Sequence, residues 1–487
     1  MSSSSTNTPL VHLDPDQRAA IGRAARAAVR RSSHSEWTPA PDRRDPSELL
    51  GEQEVTRVEE LVPLRHERMT VSPFTFYRGA AVVMAADLGA QTDSGLRVQA
   101  CGDAHLSNFG GFASPERLLQ FDINDFDETN PGPFEWDVKR LVTSFEIAAR
   151  SRSFSEKERR SIVGKAVRHY REAMTAFAGM TNLDVWYARL DVDHVFDEYR
   201  RQASPDEIKR FEKNLAKAQA KDNIKAFAKL TEEVDGEYRI KSDPPLIVSL
   251  HDLFEGDSGE SLRVWLADRL RSYRRTLQPD RRHMLESYRL VDFARKVVGV
   301  GSVGTRCWIA LMLGRDDSDP LFLQIKEAEA SVLEPYAGRS GFANHGQRVV
   351  EGQRLLQTTS DILLGWIRTE GLDGVERDYY VRQLWDSKFS ADIDSMSPST
   401  LGIYARLCGW TLARGHARSG DRIAIAAYLG SGDSFDKAIS EFAVAYADQN
   451  ERDYATVSAA HQAAAEKDAA SKDAASQDVP EAPAVGS

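Results

Sequence analysis

The chain has 487 residues, 41% of them apolar, and a net charge of −11. That length suffices for two or three domains and at least one large core, while the acidic balance argues against binding nucleic acid or an acidic membrane through bulk charge. No run approaches the roughly 18 apolar residues of a membrane span. The start, "MSSSSTNTPLVHLDPDQ", lacks the basic flank and apolar stretch of a secretory signal. Cys101, Cys307 and Cys408 lie far apart, without the spacing of a zinc site or a disulfide framework. The expected compartment is a reducing cytosol, with neither nucleic acid nor membrane as partner.

In chain order, residues 1–42 are expected to form a largely disordered basic arm. Within it, Arg18, Arg23, Arg26, Arg30 and Arg31 would line a solvated helical face. Residues 43–290 follow as a mostly helical lobe. Strand, loop and strand are expected in "LRVQACGD" and "ERLLQFDIND", then a helix in "WDVKRLVTSFEIAARS". Ser155 with Glu158, and Ser204 with Glu207, have the spacing of capping boxes at helix starts. Asp235-Gly236 marks a small hairpin, and a helical stretch is expected over 259–296. Residues 291–392 change texture: strand-like runs surround a glycine loop, interrupted by the helix "NHGQRVVEGQRLLQTTSDIL". Helices return over 393–457, and the Ala/Ser/Asp/Lys-rich tail 458–487 is expected to be disordered for want of large apolar residues. The pattern is α+β, a small antiparallel sheet lobe beside a large helical lobe.

Chemistry concentrates in "VQACGDAHLSNFGGF", residues 98–112, and in "FDINDFDET", which begins at Phe121. Six polar groups, Asp103, His105, Asn108, Asp122, Asp125 and Asp127, crowd together, and burying so many carboxylates is unfavourable unless something positive sits among them. Asp103 can accept a proton. Asn108 and Asp125 offer the hard oxygens that suit Mg²⁺, whose coordination shell is usually completed by water and substrate phosphates. The constellation points to a phosphate–metal site.

"GDAHLSNFG" resembles the catalytic loop of aminoglycoside phosphotransferases and choline kinases in the protein-kinase-like superfamily, which carry His-Gly-Asp-x-His-x-x-Asn. "INDFDE" resembles their Ile-Asp-Phe metal motif, and "PFEWDVKRL" their pocket-supporting helix. The resemblance implies Asp103 as the catalytic base with His105 beside it. It implies Asn108 and Asp125 as metal ligands, with Asp122 the fallback for Asp125. Cys101 departs from the pattern, standing where those families have the first His. From about Arg43 to Tyr454 the chain also resembles a bacterial family of unknown function that shares "SPFTFYRGAA", "CGDAHLSNFG", "FDINDFDET" and "ARGHARSGD".

A kinase-like reading requires a nucleotide clamp. Gly299, Gly301 and Gly304 form a Gly-x-Gly-x-x-Gly loop whose backbone can approach phosphates. The run after it, "TRCWIALML", has strand character, whereas a dinucleotide fold needs a helix there. Lys326 in "LFLQIKEA" matches the phosphate-binding lysine of a third strand. Its helical acid partner is expected to be Glu351, with Glu334 second, and "YYVRQL" is the expected hinge strand. The clamp follows the catalytic loop instead of preceding it, and "LCGWTLARGHARSGD", which resembles the helix leading into that loop, lies near the C-terminus. This order fits a circularly permuted kinase-like fold. Arg78, and the cluster His416, Arg418 and Asp421, could hold phosphate or substrate, or pair structurally.

The resulting expectation is an ATP- and Mg²⁺-dependent phosphotransferase acting on a hydroxyl of a small molecule or protein. Alternatives are a non-catalytic nucleotide-binding regulator, an AMP transferase, and a metallophosphoesterase, the last lacking the later Gly-Asn-His signature.

Overall fold

The computed structural model describes residues 12–219, 223–253, 259–371, 373–384 and 389–477. The Ser/Thr-rich start, the end of the run through Lys388, and residues 478–487 lie outside them.

The fold is α+β. Its largest sheet has six strands in the order Gly365–Glu370, Glu376–Gln383, Pro320–Ala328, Cys307–Leu313, Arg289–Lys296 and Ile247–Ser249, each pair antiparallel. Cys307 sits opposite Lys326, and Lys326 opposite Tyr380. Side chains alternate across a sheet, so these three share one face while Trp308, Ile325 and Val381 share the other.

Two expectations are corrected here. The helical stretch 259–296 ends as helix at Arg274; a short helix Pro279–Leu285 follows, and Arg289–Lys296 is a strand. Pairing with Cys307–Leu313 and stacking of Phe293 on Trp308, ring centroids 5.3 Å apart, outweigh helix propensity there. The sheet lobe also begins near residue 223 instead of 291. Ala226, Leu230, Ile240 and Ile247 share an apolar cluster with Ile309 and Phe322 on the sheet.

The helical body is built on Phe134–Ser151, Glu156–Ala178, Pro398–Ser419 and Ser434–Gln477, which bury one continuous apolar core. Local signals hold where the chemistry is local. The Ser155–Glu158 capping box forms, with the Ser155 backbone N–H donating to the Glu158 carboxylate at 2.8 Å. The same contact at Ser204 and Glu207 is 2.8 Å. Asp235 and Gly236 join Thr231–Val234 to Glu237–Ile240 with φ of 54° and 79°, as a two-residue type I′ turn requires.

Both termini are more ordered than expected. Pro15–Ala28 is a helix lying on Arg422–Leu429, so close that a Cβ at Gly22 would come within 1.9 Å of the Ala424 carbonyl oxygen. Arg18 pairs with Asp421 at 2.9 Å. At the other end, the helix from Ser434 continues through the expected disordered tail to Gln477. An alanine-rich segment needs no core of its own when it only extends a nucleus already formed by buried residues.

Candidate functional site

The strand Arg97–Ala100 pairs with Asn130–Pro133 and ends at Ala100. The chain then turns through Gly102, whose φ of +84° and proximity to the Glu128 carbonyl leave no room for a Cβ. Asp137, in the first turn of Phe134–Ser151, accepts the backbone N–H groups of Cys101 at 2.6 Å and Gly102 at 2.9 Å. His416 supports Asp137 through Nε2 at 3.0 Å, leaving Nδ1 to the Tyr170 hydroxyl at 2.8 Å. A buried acid and a buried histidine therefore fix the backbone just before Asp103.

Asp103 is held by Arg140, whose Nε and Nη2 lie 2.9 and 2.8 Å from Oδ1. The guanidinium stacks over the Tyr77 ring at 3.9 Å. Burial pushes the Asp103 carboxyl above the usual range, with Arg140 and then Arg78 acting against it. His105 lies beside it, Nε2 at 3.6 Å from Oδ2, too far for a hydrogen bond. Burial, with Arg78 and Arg140 nearby, drives the His105 pKa well down, so the ring is neutral. The Asn108 amide donates to the Asp103 carbonyl at 2.8 Å and closes the loop on itself.

The second acidic segment divides at the end of its strand. Leu119–Ile123 pairs with Phe109–Ala113 and places Asp122 in the interior, where Arg414 and the Thr358 N–H hold it. Asp122 is thus a structural ion-pair partner, and the fallback metal assignment is corrected. Past the strand, Asp125 and Asp127 both line a cavity of about 100 Å³ together with Asp103, Arg78, Gly301 and Ser302. Asp127 receives Lys326 Nζ at 2.6 Å and the Tyr380 hydroxyl at 2.6 Å. Burial disfavours its charge, but Lys326 and Tyr380 outweigh that and hold the carboxyl low. Asp125 has the opposite balance: burial and then the Asp127 charge push it up.

The glycine loop spans the gap between Arg289–Lys296 and Cys307–Leu313. Gly299 and Gly304 have φ of +72° and +90°, and Gly301 faces the cavity. Lys326 is 3% exposed. Burial alone would lower its pKa; Asp127, Tyr380 and Asp125 hold it well above the ordinary value. Lys326 therefore meets the acidic segment, and the residue it contacts there is Asp127.

Glu351 is not the partner of Lys326. It pairs with Arg354 at 3.0 Å on the outer side of His345–Leu356, and Glu334 lies 4.0 Å from Arg348. Arg348, one of the buried residues of that helix, donates to the carbonyl oxygens of Asp127 at 2.9 Å, Thr129 at 2.6 Å and Glu329 at 2.7 Å. The helix thus grips the backbone of the acidic segment, and Lys326 takes its counter-charge from that segment directly. "ARGHARSGD" proves structural as well: besides His416, Arg418 donates to the Leu355 carbonyl at 2.9 Å and stacks on Trp186 at 3.8 Å, and Asp421 caps the helix that follows.

Among the described residues no group of three or more His, Cys, Asp and Glu side chains is arranged to hold a metal ion. Mg²⁺ needs fewer: one or two carboxylates suffice when phosphates complete the shell. Asp125 suits that role: it is half-buried beside a second carboxylate, and burial and then the Asp127 charge raise it although Lys326 and Arg382 act against that.

Sequence reasoning counted Asp127 in the acidic crowd without giving it a role, placed Tyr380 only in the expected hinge strand, and did not name Arg140. The second acid of "NDFDE" was the available signal for Asp127. Tyr380 could have been found from its place opposite the lysine once the strands were paired. Nothing in the local sequence marks Arg140, which acts across the fold.

A second, larger cavity, about 280 Å³, lies on the opposite face of the sheet. It is lined by apolar side chains such as Phe293, Trp308, Ile325 and Val381 and receives none of the predicted site residues. Asp103, Asp125 and Gly301 line the smaller, polar cavity instead.

A loop acid fixed by a supporting helix, a second acidic segment bonded to a buried lysine, and a glycine loop meet at one polar cavity. Residues 57–460 match the family described as "Uncharacterized protein conserved in bacteria (DUF2252)", and the chain belongs to it. No curated protein and no solved structure matches the chain. Among the described residues no helix is long and apolar enough to cross a membrane.

Proposed function

We propose that this protein is a kinase-like phosphotransferase that uses ATP and Mg²⁺ and acts on a hydroxyl of a small molecule or protein. One observation carries the reading: Lys326 Nζ sits 2.6 Å from Asp127, 199 residues away in sequence, at a cavity walled by Asp103, Asp125 and Gly301. The glycine loop joins the first two of three successive antiparallel strands, the lysine is on the third, and a helix follows. Protein kinases place their lysine on the third strand. Asp125 and Asp127 would hold Mg²⁺, which would offset the phosphate charge there. Lys326 would meet the phosphates from the sheet side. Asp103, clamped on Oδ1 by Arg140, keeps Oδ2 for the proton of the acceptor hydroxyl.

Circular permutation also has support. Ser419, at the end of Pro398–Ser419, accepts the Gln99 backbone N–H at 3.3 Å. The late helix therefore ends beside the strand that leads into the catalytic loop. Three free, buried cysteines suit a reducing cytosol.

The test is turnover of Mg–ATP by the full chain against Asp103→Asn and Asp125→Asn variants. Turnover should fall by about 100-fold or more in each; full activity in both would overturn the assignment. The intact mass of the product separates transfer of phosphate from transfer of AMP. A regulatory protein that binds nucleotide without turnover is the second reading. It is favoured by Cys101 in place of histidine and by the ion pair that engages Lys326. Thermal stabilisation by ATP with no turnover would select it.

A further inference from the structure

Arg78, in "FYRGAA", is a charged group at the cavity that the phosphotransferase reading leaves without work. It ends the helix Pro73–Gly79 and faces the space also lined by Asp103 and Asp125. Its buried Nε has no hydrogen-bond partner, and no ion pair holds its guanidinium among the described residues. The neighbouring buried arginines differ. Arg140 bonds Asp103 and the Tyr77 carbonyl, Arg348 bonds three carbonyls, and Arg414 bonds Asp122 and Thr358. A guanidinium cannot shed its charge. Burial disfavours the charge of Arg78, and only the more distant Asp103 and Asp125 act against that. The missing partner is an anion supplied from outside the chain.

Position narrows which anion. Arg78 lines the same cavity as the acid proposed as base and the acid proposed to hold the metal. The glycine loop crosses directly above it, so that a Cβ at Gly301 would lie 3.3 Å from the Arg78 carbonyl oxygen. A phosphate in that space would meet the guanidinium fork, the loop backbone and a cation on Asp125 together. We propose that Arg78 binds the terminal phosphate of a nucleoside triphosphate and makes the site discriminate triphosphate from diphosphate. This rests on the phosphotransferase reading and adds a residue from a segment outside both motifs that define it.

The experiment is calorimetric titration of the full chain with Mg–ATP and with Mg–ADP, for wild type, Arg78→Gln and Arg78→Lys. Arg78→Gln should lose about tenfold in ATP affinity, the scale of one charge-assisted contact, with ADP affinity unchanged. Arg78→Lys, which keeps the charge without the fork, should fall between. Without nucleotide, Arg78→Gln should melt at or above the wild-type temperature, since it removes an unpaired buried charge; a structural arginine would instead lower it. If wild type binds both nucleotides and Arg78→Gln leaves their ratio unchanged, the assignment of Arg78 fails alone. If wild type binds neither, the phosphotransferase reading fails and takes this one with it.

Discussion

The two faces of the six-stranded sheet are made by the same strands and do opposite work. On the face toward the helical body, Lys326, Tyr380 and Arg382 gather around the acidic segment. On the outer face, Phe293, Trp308, Ile325 and Val381 line an apolar cavity of about 280 Å³. Ile325 and Lys326 are consecutive, so the strand's two-residue period alone separates packing from chemistry. A one-residue slip in register would exchange the two faces, and the long ladder from Cys307–Lys326 to Leu313–Pro320 guards against it. The inner face holds charges that depend on partners from the other lobe; the outer face depends on shape.

Breaking that dependence should give the largest effect. Asp127→Asn strands Lys326, whose side chain is 4% exposed, whereas Lys326→Met leaves an Asp127 that is 28% exposed and still bonded to Tyr380. Asp127→Asn should therefore lose about 3–5 kcal/mol of unfolding free energy in urea, and Lys326→Met less. The double variant should recover most of the loss. Strictly additive effects would mean that the two faces are not electrostatically distinct.

The next effect is a pH dependence. Burial raises the Glu128 carboxyl from 4.5 to about 7. Its folded pKa lies above its unfolded one, so its contribution is fully present below about 4.5 and is lost as pH rises through about 7. Glu128→Gln, which can still accept the Val332 N–H that the carboxylate accepts at 2.8 Å, should flatten that decline. Urea midpoints at pH 5, 6, 7 and 8 would read it. An unchanged slope would move the source of any pH sensitivity elsewhere on the inner face.

How much of this was legible in the sequence depended on how local each cause was. The Ser155 cap and the Asp235-Gly236 turn are settled within four residues, and both were readable. The Gly102–Asn108 loop, the glycine loop and Lys326 also stood out by residue type, and the structure sets Asp103 and Gly301 at one cavity with Lys326 bonded to Asp127 beside it. Choosing among Asp122, Asp125 and Asp127 was not local. It turns on where the strand ends, at Ile123, and on Arg414 waiting 292 residues away for Asp122. Glu351 failed for a related reason: it lies nearly one turn beyond Arg348, which reaches the backbone of the acidic segment, while Glu351 itself pairs with Arg354. The ordered ends escaped because composition reports what a segment can bury alone, not what a neighbour lays against it. Gly22 against Ala424 is such a case.

On the outer face, Trp308→Ala should enlarge the apolar cavity and lower stability by about 2 kcal/mol, below the range for a fully buried tryptophan because Trp308 is only half-buried. Mg–ATP binding measured by calorimetry should stay within twofold of wild type. A collapse of binding would show that the outer face shapes the inner one, and the comparison would lose its meaning.

The smallest expected effect is also the most local. Tyr380→Phe removes one hydroxyl, the donor 2.6 Å from Asp127 Oδ1, and keeps the ring over which Lys326 Nζ sits at 5.5 Å. One hydrogen bond to a charged group contributes about 1.5–3 kcal/mol when nothing replaces it. Here Asp127 keeps Lys326 on its other oxygen and is partly open to water, so about 1 kcal/mol is expected in the urea midpoint. The direction at Asp127 follows from the same contact: losing a donor that favours its charged form raises the carboxyl. Mg²⁺ affinity at fixed ATP should then fall more steeply with acid in Tyr380→Phe than in wild type. A loss of stability without that change would make the hydroxyl a strut between strand and loop; both together would make it part of the charge balance that separates the two faces.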